Sequence, residues 1–382
     1  MFHRRAVKLI PSNEYCDQPP ELVQPLCVSE SPCSTAGSGL ARPAAISVRL
    51  VCGRSLSPGQ AALWRELQQS NPELASPCFA PEFTQAVAAV RDDVEAAFIE
   101  QDHEVAAIFP FQRRPGSRAV PVGGIVSDYQ GLICRPGFSC DPQELLKACG
   151  LVAWDFDRLL ASQSLFVPHH KLCEPSARLD LSHGYDAYVA QRQAAGTHQI
   201  KKCEYLMRRL EREVGPLRFV RHCADPRLLA QVLAWKSDQY RQTGWKDLFA
   251  TDWGRALVGR IHQLRSPGFA GMLSLLYAGQ QLVAGHLGMH SETVWHYWFP
   301  AYHRQFGRYS PGIILLLKMA EAAEGLGLRY IDIGTGVTLY KKRLMNASVS
   351  VAEGSVERPS GLVLLRIARR RLKSFVKTLA AP

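Results

Sequence analysis

Ile46, Val48, Leu50 and Cys52 alternate with polar neighbours, a period of two that predicts a strand. The period then lengthens. After the Ser57-Pro58 start, Ala61, Leu63, Trp64 and Leu67 share one helical face, which predicts a helix over 57–70. Residues 81–90 read as a second short helix. Segments 94–100 and 104–111 read as a hairpin, and 120–126 as a further strand of the same sheet. A helix over 142–150 and a strand over 153–160 follow. Residues 183–214 read as one long helical region, 217–221 as a strand, and 226–244 and 252–264 as helices. Three strands are predicted over 271–277, 281–289 and 293–299. A helix then opens at Ser310-Pro311 and stops at Gly325 and Gly327, and a short strand runs from 328 to 333. The second half thus reads strand, helices, antiparallel strands, helix, strand. Residues 46–160 repeat that order more loosely, which points to duplication.

Composition narrows this picture. A chain of 382 residues with 47% hydrophobic content buries a large core, and two domains are the default. The net charge of +11 and pI of about 9.2 favour acidic partners such as nucleotides, phosphorylated substrates, RNA or anionic surfaces. The 11 cysteines form no CxxC pair, so neither a metal site nor a disulfide framework is indicated, and reduced thiols of the cytosol are expected. The basic N-terminal segment lacks an apolar run of signal-peptide length, and no stretch approaches a membrane span. Residues 1–45, rich in Pro, Ser, Glu and Cys without periodicity, read as a flexible extension. Residues 361–379 are basic and amphipathic, with Leu364, Ile367, Leu372, Phe375 and Val376 among interspersed Arg and Lys. Such a segment packs on its own domain or lies on an anionic membrane.

The chemistry concentrates between Trp298 and Lys341. Ser310 is placed as an N-cap, and the helix start lies beside Arg304 and Arg308, with Gly307 allowing close backbone approach. Such a site suits an anion, most simply a phosphate. Candidate proton acceptors are His286, His290, His296 and Asp332, among which spacing does not choose. The basic run around Lys201 and Lys202 is either a solvated helix face or the wall of an anion-binding cleft.

Several stretches together resemble the GNAT acyltransferase superfamily, in its Fem-type branch with two GNAT-like halves. The nearest subgroup is the BioF-type acetyltransferase domain of CelD-like cellulose and exopolysaccharide biosynthesis proteins. The stretches are Asp128-Tyr129-Gln130-Gly131, the helix around Lys201-Lys202, the strand GQQLVAGHLG, and the order from Tyr297 to Lys341: Pro300, Tyr302, Tyr309-Ser310-Pro311-Gly312, an apolar helix, Gly327-Leu328, Asp332-Ile333-Gly334 and Tyr340-Lys341. The resemblance implies an α+β fold of tandem halves, each a mixed, mostly antiparallel central sheet flanked by helices. The implied halves are 46–175 and 176–350, with a basic tail over 351–382. It implies a cytoplasmic acyltransferase, membrane-peripheral if the tail binds lipid. Acetyl-CoA is then a co-substrate, not a tightly bound cofactor, and the acceptor an amino sugar, polysaccharide precursor or related envelope intermediate. Arg304, Gly307, Arg308, Ser310 and Gly312 would hold the donor, although Tyr309 stands where the usual phosphate loop has its second small residue. Asp332, His296 and Lys341 would act in catalysis, and Asp128, Tyr129, Lys201, Lys202, Tyr302 and Tyr340 would bind substrate, with no metal. The alternatives are a Fem-like transferase using charged tRNA, the one reading that brings in nucleic acid, or a non-catalytic component of a polysaccharide synthesis assembly.

The aperiodic start is expected to be dispensable for folding. Limited proteolysis should clip within 1–45 and leave a stable core from about residue 46; protection of the whole segment would contradict this.

Overall fold

The structure, a computed structural model, describes residues 46–336 and 338–359. The expected N-terminal extension and the basic segment 361–379 lie outside the described residues. Strand β1 (Ser47–Cys52) is followed by helices α1 (Pro58–Gln69) and α2 (Pro81–Ala88). The start of α1 is set by a capping box, in which Ser57 Oγ accepts from the Gln60 N–H and the Gln60 side chain accepts from the Ser57 N–H. Strands β2 (Val94–Gln101) and β3 (Glu104–Arg114) form the predicted hairpin. Asp102 and His103 both have positive φ, the backbone of a two-residue turn whose twist matches the strands. Then come β4 (Arg118–Val120), β5 (Ile133–Cys134), α3 (Pro142–Ala148), β6 (Ala153–Leu160) and β7 (His170–Asp180).

The second half opens with α4 (Tyr185–Ala194) and α5 (Gln199–Glu213), then β8 (Leu217–Val220), α6 (Pro226–Thr243) and α7 (Asp252–Gln263). Strands β9 (Arg265–Ser266), β10 (Phe269–Ala278), β11 (Gln281–His290) and β12 (Val294–Tyr302) form an antiparallel run. Helix α8 (Pro311–Ala323), strand β13 (Tyr330–Gly334), helix α9 (Leu339–Leu344) and strand β14 (Ala347–Glu357) complete the described chain.

Among the described residues all 14 strands lie in one sheet, in the order β1-β2-β3-β4-β6-β14-β7-β13-β12-β11-β10-β8, with β5 on β3 and β9 on β10. Most pairs are antiparallel; β4–β6 and β12–β13 are parallel. The two halves are continuous through β14, which pairs with β6 on one edge and β7 on the other. They also share a core, in which Trp64, Phe79 and Phe83 of the first half cluster with Val258, Phe269 and Trp298 of the second. Trp298 anchors this contact: its indole N–H donates to the Val126 carbonyl at 2.9 Å, and its ring meets Phe83 edge-on.

Four local expectations change. The strand predicted over 120–126 ends at Val120, because Gly123 and Gly124 both take positive φ and turn the chain into a short 3₁₀ segment. The helical region 183–214 is two helices, broken where Gly196 adopts φ +77°. Ser310 occupies the cap position of α8 with φ +51°, and its side chain makes no cap bond; its carbonyl receives the Ile313 and Ile314 N–H groups instead. The preceding 3₁₀ turn Arg304–Tyr309, closed by Ser310 N–H to the Gly307 carbonyl, imposes that geometry. Strands β7 and β14, absent from the sequence reading, run across both expected half-boundaries, at 175/176 and 350/351.

Because β14 fills the middle of the sheet, a chain ending at Asn346 would leave the edges of β6 and β7 unpaired. It should lose the cooperative thermal transition that a chain ending at Pro359 keeps, since lost pairing on two edges exceeds a typical stability of about 5–15 kcal/mol. Calorimetry of the two chains decides the point; a cooperative melt of the shorter chain would refute it.

Candidate active site

The parallel pair β12–β13 aligns His296 with Asp332, so neighbouring positions carry both side chains to one face of the sheet. The register ends there. Strand β12 continues to Tyr302, while β13 turns away at Gly334, whose φ is +76°. The two strands part like a wedge. Tyr297 of β12 donates its hydroxyl to the Gly312 carbonyl at 2.9 Å and thereby ties the wedge to the start of α8.

Asp332 is fully buried. Its Oδ2 accepts from Arg178 Nε of β7 at 3.0 Å, and its Oδ1 from the Gly334 N–H at 2.9 Å. His296, also fully buried, has Nδ1 4.0 Å from Asp332 Oδ1, too long for a hydrogen bond, and Nε2 3.0 Å from Asp128 Oδ2. That oxygen lies off the line of the ring N–H, so the contact is a close electrostatic one. Asp128 comes from the first half, just after the glycine turn at 123–124, and its side chain is 21% exposed, the most open of the three. Arg158 Nε of β6 lies 3.4 Å from Asp128 Oδ1 and 3.4 Å from Thr335 Oγ1. Lys341 of α9 donates to the carbonyls of Gly334 and Thr335 at 3.1 and 2.6 Å. A Cβ at Gly334 would stand 3.4 Å from Asp128 Oδ2, so glycine leaves this floor open.

Burial would raise the Asp128 carboxyl, but His296, Arg158 and Lys341 outweigh it and hold the group at about 2. Burial lowers the Lys341 ammonium, with Asp128 and Asp332 pulling it back. Burial, then Asp332, pushes the Tyr129 phenol up; its hydroxyl donates to Ser176 Oγ, and its ring lies under the Arg178 guanidinium.

Sequence reasoning thus named five residues that the fold brings together: Asp128, Tyr129, His296, Asp332 and Lys341. It missed Arg158 and Arg178, which sit on strands where nothing in the pattern marks a buried arginine. His286 belongs to a different role. Strand β11 bulges between Leu287 and Met289, and His286 Nε2 accepts the Trp298 N–H at 3.0 Å, replacing a ladder bond. Burial first, then the charge of His296, lowers it to about 3, so it stays neutral. His290 is tied to the carbonyl of Ser291 through Nδ1 at 2.8 Å.

The loop before α8 forms a second cluster. Tyr302 covers Gly307 and Gly312, where added Cβ atoms would stand 3.6 and 3.7 Å from its ring. Arg304 bonds the Gln242 side chain at the end of α6. Arg308 is not free: it lies 3.2 Å from Glu213 Oε2 of α5 and stacks over Tyr309, whose hydroxyl donates to the same carboxylate at 2.6 Å. Tyr340 packs, half-buried, beside Tyr297, and burial raises its phenol to about 12. Lys201 and Lys202 are exposed on the first turn of α5, about 16 Å along the helix from Glu213 and so away from the loop cluster. An open groove of about 470 Å³ between α5, β8 and α8 is lined by Arg208, Phe219, Leu276 and Lys318, and includes none of these residues. Among the described residues no group of three His, Cys, Asp or Glu could hold a metal, and no helix is long and apolar enough to cross a membrane.

A family model described as an acetyltransferase (GNAT) domain matches residues 197–342. That segment contains β12, β13, the loop before α8 and Lys341. No curated protein matches the chain. Among solved structures, FemX superposes with a TM-score of 0.54 at 10% identity, over 80% of this chain and 98% of that one. The C-terminal domain of a putative lysylphosphatidylglycerol synthetase from Agrobacterium fabrum gives 0.49 at 10% identity, over 79% and 95%. A tandem GNAT protein from the clavulanic acid biosynthesis pathway gives 0.47 at 12%, over 83% and 100%. At 10% identity the likeness to FemX is one of fold alone. The fold is that of tandem GNAT-like halves in one mixed, mostly antiparallel sheet flanked by helices, as the resemblance implied.

The depressed Asp128 has a consequence for acid stability. Its folded value lies below that of an ordinary carboxylate, so its contribution is complete above about pH 4 and is lost as pH falls toward about 2. Asp128→Asn should flatten the stability profile over that window by roughly 2 kcal/mol. Urea titrations from pH 5 to 2 check this; parallel profiles would contradict it.

Proposed function

We propose that the chain is an acyltransferase that passes an acetyl or similar group from acyl-CoA to a nucleophile on an amino sugar, polysaccharide precursor or related envelope intermediate. The observation that carries the reading is the charged cluster at the mouth of the β12–β13 wedge, whose His296, Asp332 and Lys341 lie inside the segment matching the GNAT family model. Residues 46–175 supply the acceptor side through Asp128, and 176–350 the donor side. The strand over 347–357 is common to both.

In this reading the donor lies along the wedge with its phosphates over the loop 304–312. Gly307 and Gly312 allow the approach, Tyr302 covers the loop, and Arg304 and Arg308 supply charge. Asp128 stays ionised at neutral pH, which suits it to bind and orient an amine or hydroxyl more than to take its proton. Lys341, fixed by two carbonyls, is placed to stabilise the oxyanion that forms as the nucleophile attacks the acyl carbonyl. His296 and Asp332 are positioning residues: His296 lies against Asp128, and Asp332 holds Arg178 and the Gly334 turn. The oxyanion collapses as the thioester C–S bond breaks, and CoA departs as a thiolate that takes a proton from water. The nucleophile's proton leaves through water at the open side of Asp128, and rate comes chiefly from placement. Tyr129 and Tyr340 shape the walls, and Lys201 and Lys202 attract the anionic substrate from a distance.

A second reading keeps the same site and replaces acyl-CoA by an aminoacyl-tRNA. The net charge of +11 supports it, and so does the Fem-type order of the segment from Tyr297 to Lys341. Donor titration separates the two. Acetyl-CoA should bind by calorimetry, and Arg308→Ala should weaken it about tenfold or more. Glu213→Gln should tighten it, because the carboxylate now competes for Arg308. Absence of acetyl-CoA binding, with strongly salt-dependent binding of charged tRNA, would select the second reading. Equal acetyl-CoA affinity in all three proteins would place the donor elsewhere.

A further inference from the structure

We propose that Lys236 is the cation of an anion-binding subsite on the acceptor side of the cleft, and that the acceptor carries a carboxylate or phosphate there. This rests on the transferase reading above and names the class of its acceptor.

Helix α6 packs against β12 and β11, and Lys236 faces inward, 8% exposed. Its ammonium donates to Gln239 Oε1 at 3.0 Å and lies 5.2 Å from the centre of the Tyr240 ring. Both partners are neutral. Among the described residues no carboxylate lies within ion-pair distance of it. The other buried cations of the cleft differ. Arg178 has Asp332, Arg158 has Asp128, and Lys341 has two backbone carbonyls. A lysine that merely covers apolar surface turns its ammonium out to water. Lys236 does not, and a methionine would fill the same space without the cost of a buried charge.

The groups around it explain what such a charge is for. From α9 comes the Lys341 ammonium, from β11 the neutral His286, and from its own helix Gln239 and Tyr240. Asp128 lies near Tyr240 but is already engaged by His296 and Arg158. Burial first, and the charge of Lys341 second, bring the Lys236 ammonium down to about 8. Two ammonium groups that repel one another are relieved by an anion between them. The donor loop does not account for this. It meets α6 through Arg304 on Gln242, about 9 Å further along the helix, and through His303 edge-on to the Trp235 ring, whereas the Lys236 ammonium has Gln239 and Tyr240 as its partners.

The test uses the full chain and sulfate, whose charge is constant between pH 7 and 9. Wild type should bind sulfate at pH 7, and Lys236→Met should bind it about tenfold more weakly or worse. The wild-type affinity should fall from pH 7 to 9 as Lys236 loses its proton, and that of the variant should change less. Acetyl-CoA affinity should stay within about twofold in Lys236→Met. In wild type at pH 8, sulfate should slow acylation of Lys236 by an amine-specific reagent, read by peptide mass spectrometry, a measurement that does not depend on the variant folding. Unchanged sulfate affinity in the variant, no sulfate binding by wild type, or no protection of Lys236 would overturn the proposal. Loss of acetyl-CoA affinity in the variant would overturn the acceptor assignment by giving the cation to the donor. Failure of acetyl-CoA to bind wild type, with the sulfate results as expected, would remove the donor reading and leave the subsite.

Discussion

Strand β14 hydrogen-bonds to β6 along one edge and to β7 along the other, and the site exists only because of that double pairing. A sheet edge is a row of unpaired donors and acceptors. With β14 in place, β6 and β7 each lose an exposed edge, and the two halves become one surface. Arg158 on β6 and Arg178 on β7 are then held on either side of the same strand. Asp128 is brought from the first half to within 3.0 Å of His296 in the second. Neither half alone contains the cluster.

Once the halves are joined, electrostatics decides the arrangement. A charge removed from water needs a partner, and a partner lost is more damaging than a pair never made. Asp332 meets that demand with Arg178 and a backbone N–H, and Asp128 with His296 and Arg158. Each carboxylate is fixed by groups from different strands, so its position follows from the register of the sheet. The donor loop follows the opposite logic. Its arginines are exposed, Arg308 is shared with Glu213, and Ser310 takes a left-handed backbone in place of a side-chain cap. A rigid charged floor thus faces a loop whose charges can exchange partners.

Much of the fold was legible from local pattern. The hairpin at 94–114, helices α6 and α7, strands β10 to β12 and helix α8 all follow from period and from Pro and Gly punctuation. What failed was also local in origin. Strand β7 carries Pro175 and exposed residues in its first half, and β14 alternates only over Ala347–Val351 before Glu353 and Gly354 interrupt the pattern, so neither reads as a long strand. Two adjacent glycines ended the strand expected to 126, and one glycine split the helix expected over 183–214. Of the site, Asp128, His296, Asp332 and Lys341 were found through family resemblance and the position of Asp332 at a strand end. Arg158 and Arg178 were not, because an arginine on a strand reads as solvent-facing unless its carboxylate partner is known. Lys236 was passed over for the same reason on a helix.

The sequence by itself determined the hairpin at 94–114, the wedge-forming strands, the apolar helix α8 and the basic loop before it, since these depend on side-chain period and on residues with restricted backbones. Only the tertiary structure decided which charges meet. The pairing of His296 with Asp332 needs the parallel register of β12 and β13, and the approach of Asp128 needs β14 between β6 and β7. Those contacts join residues up to 168 positions apart, such as Asp128 and His296, which share no local period. The energy that selects them is the desolvation of buried charge, and it acts only after the sheet has closed around them.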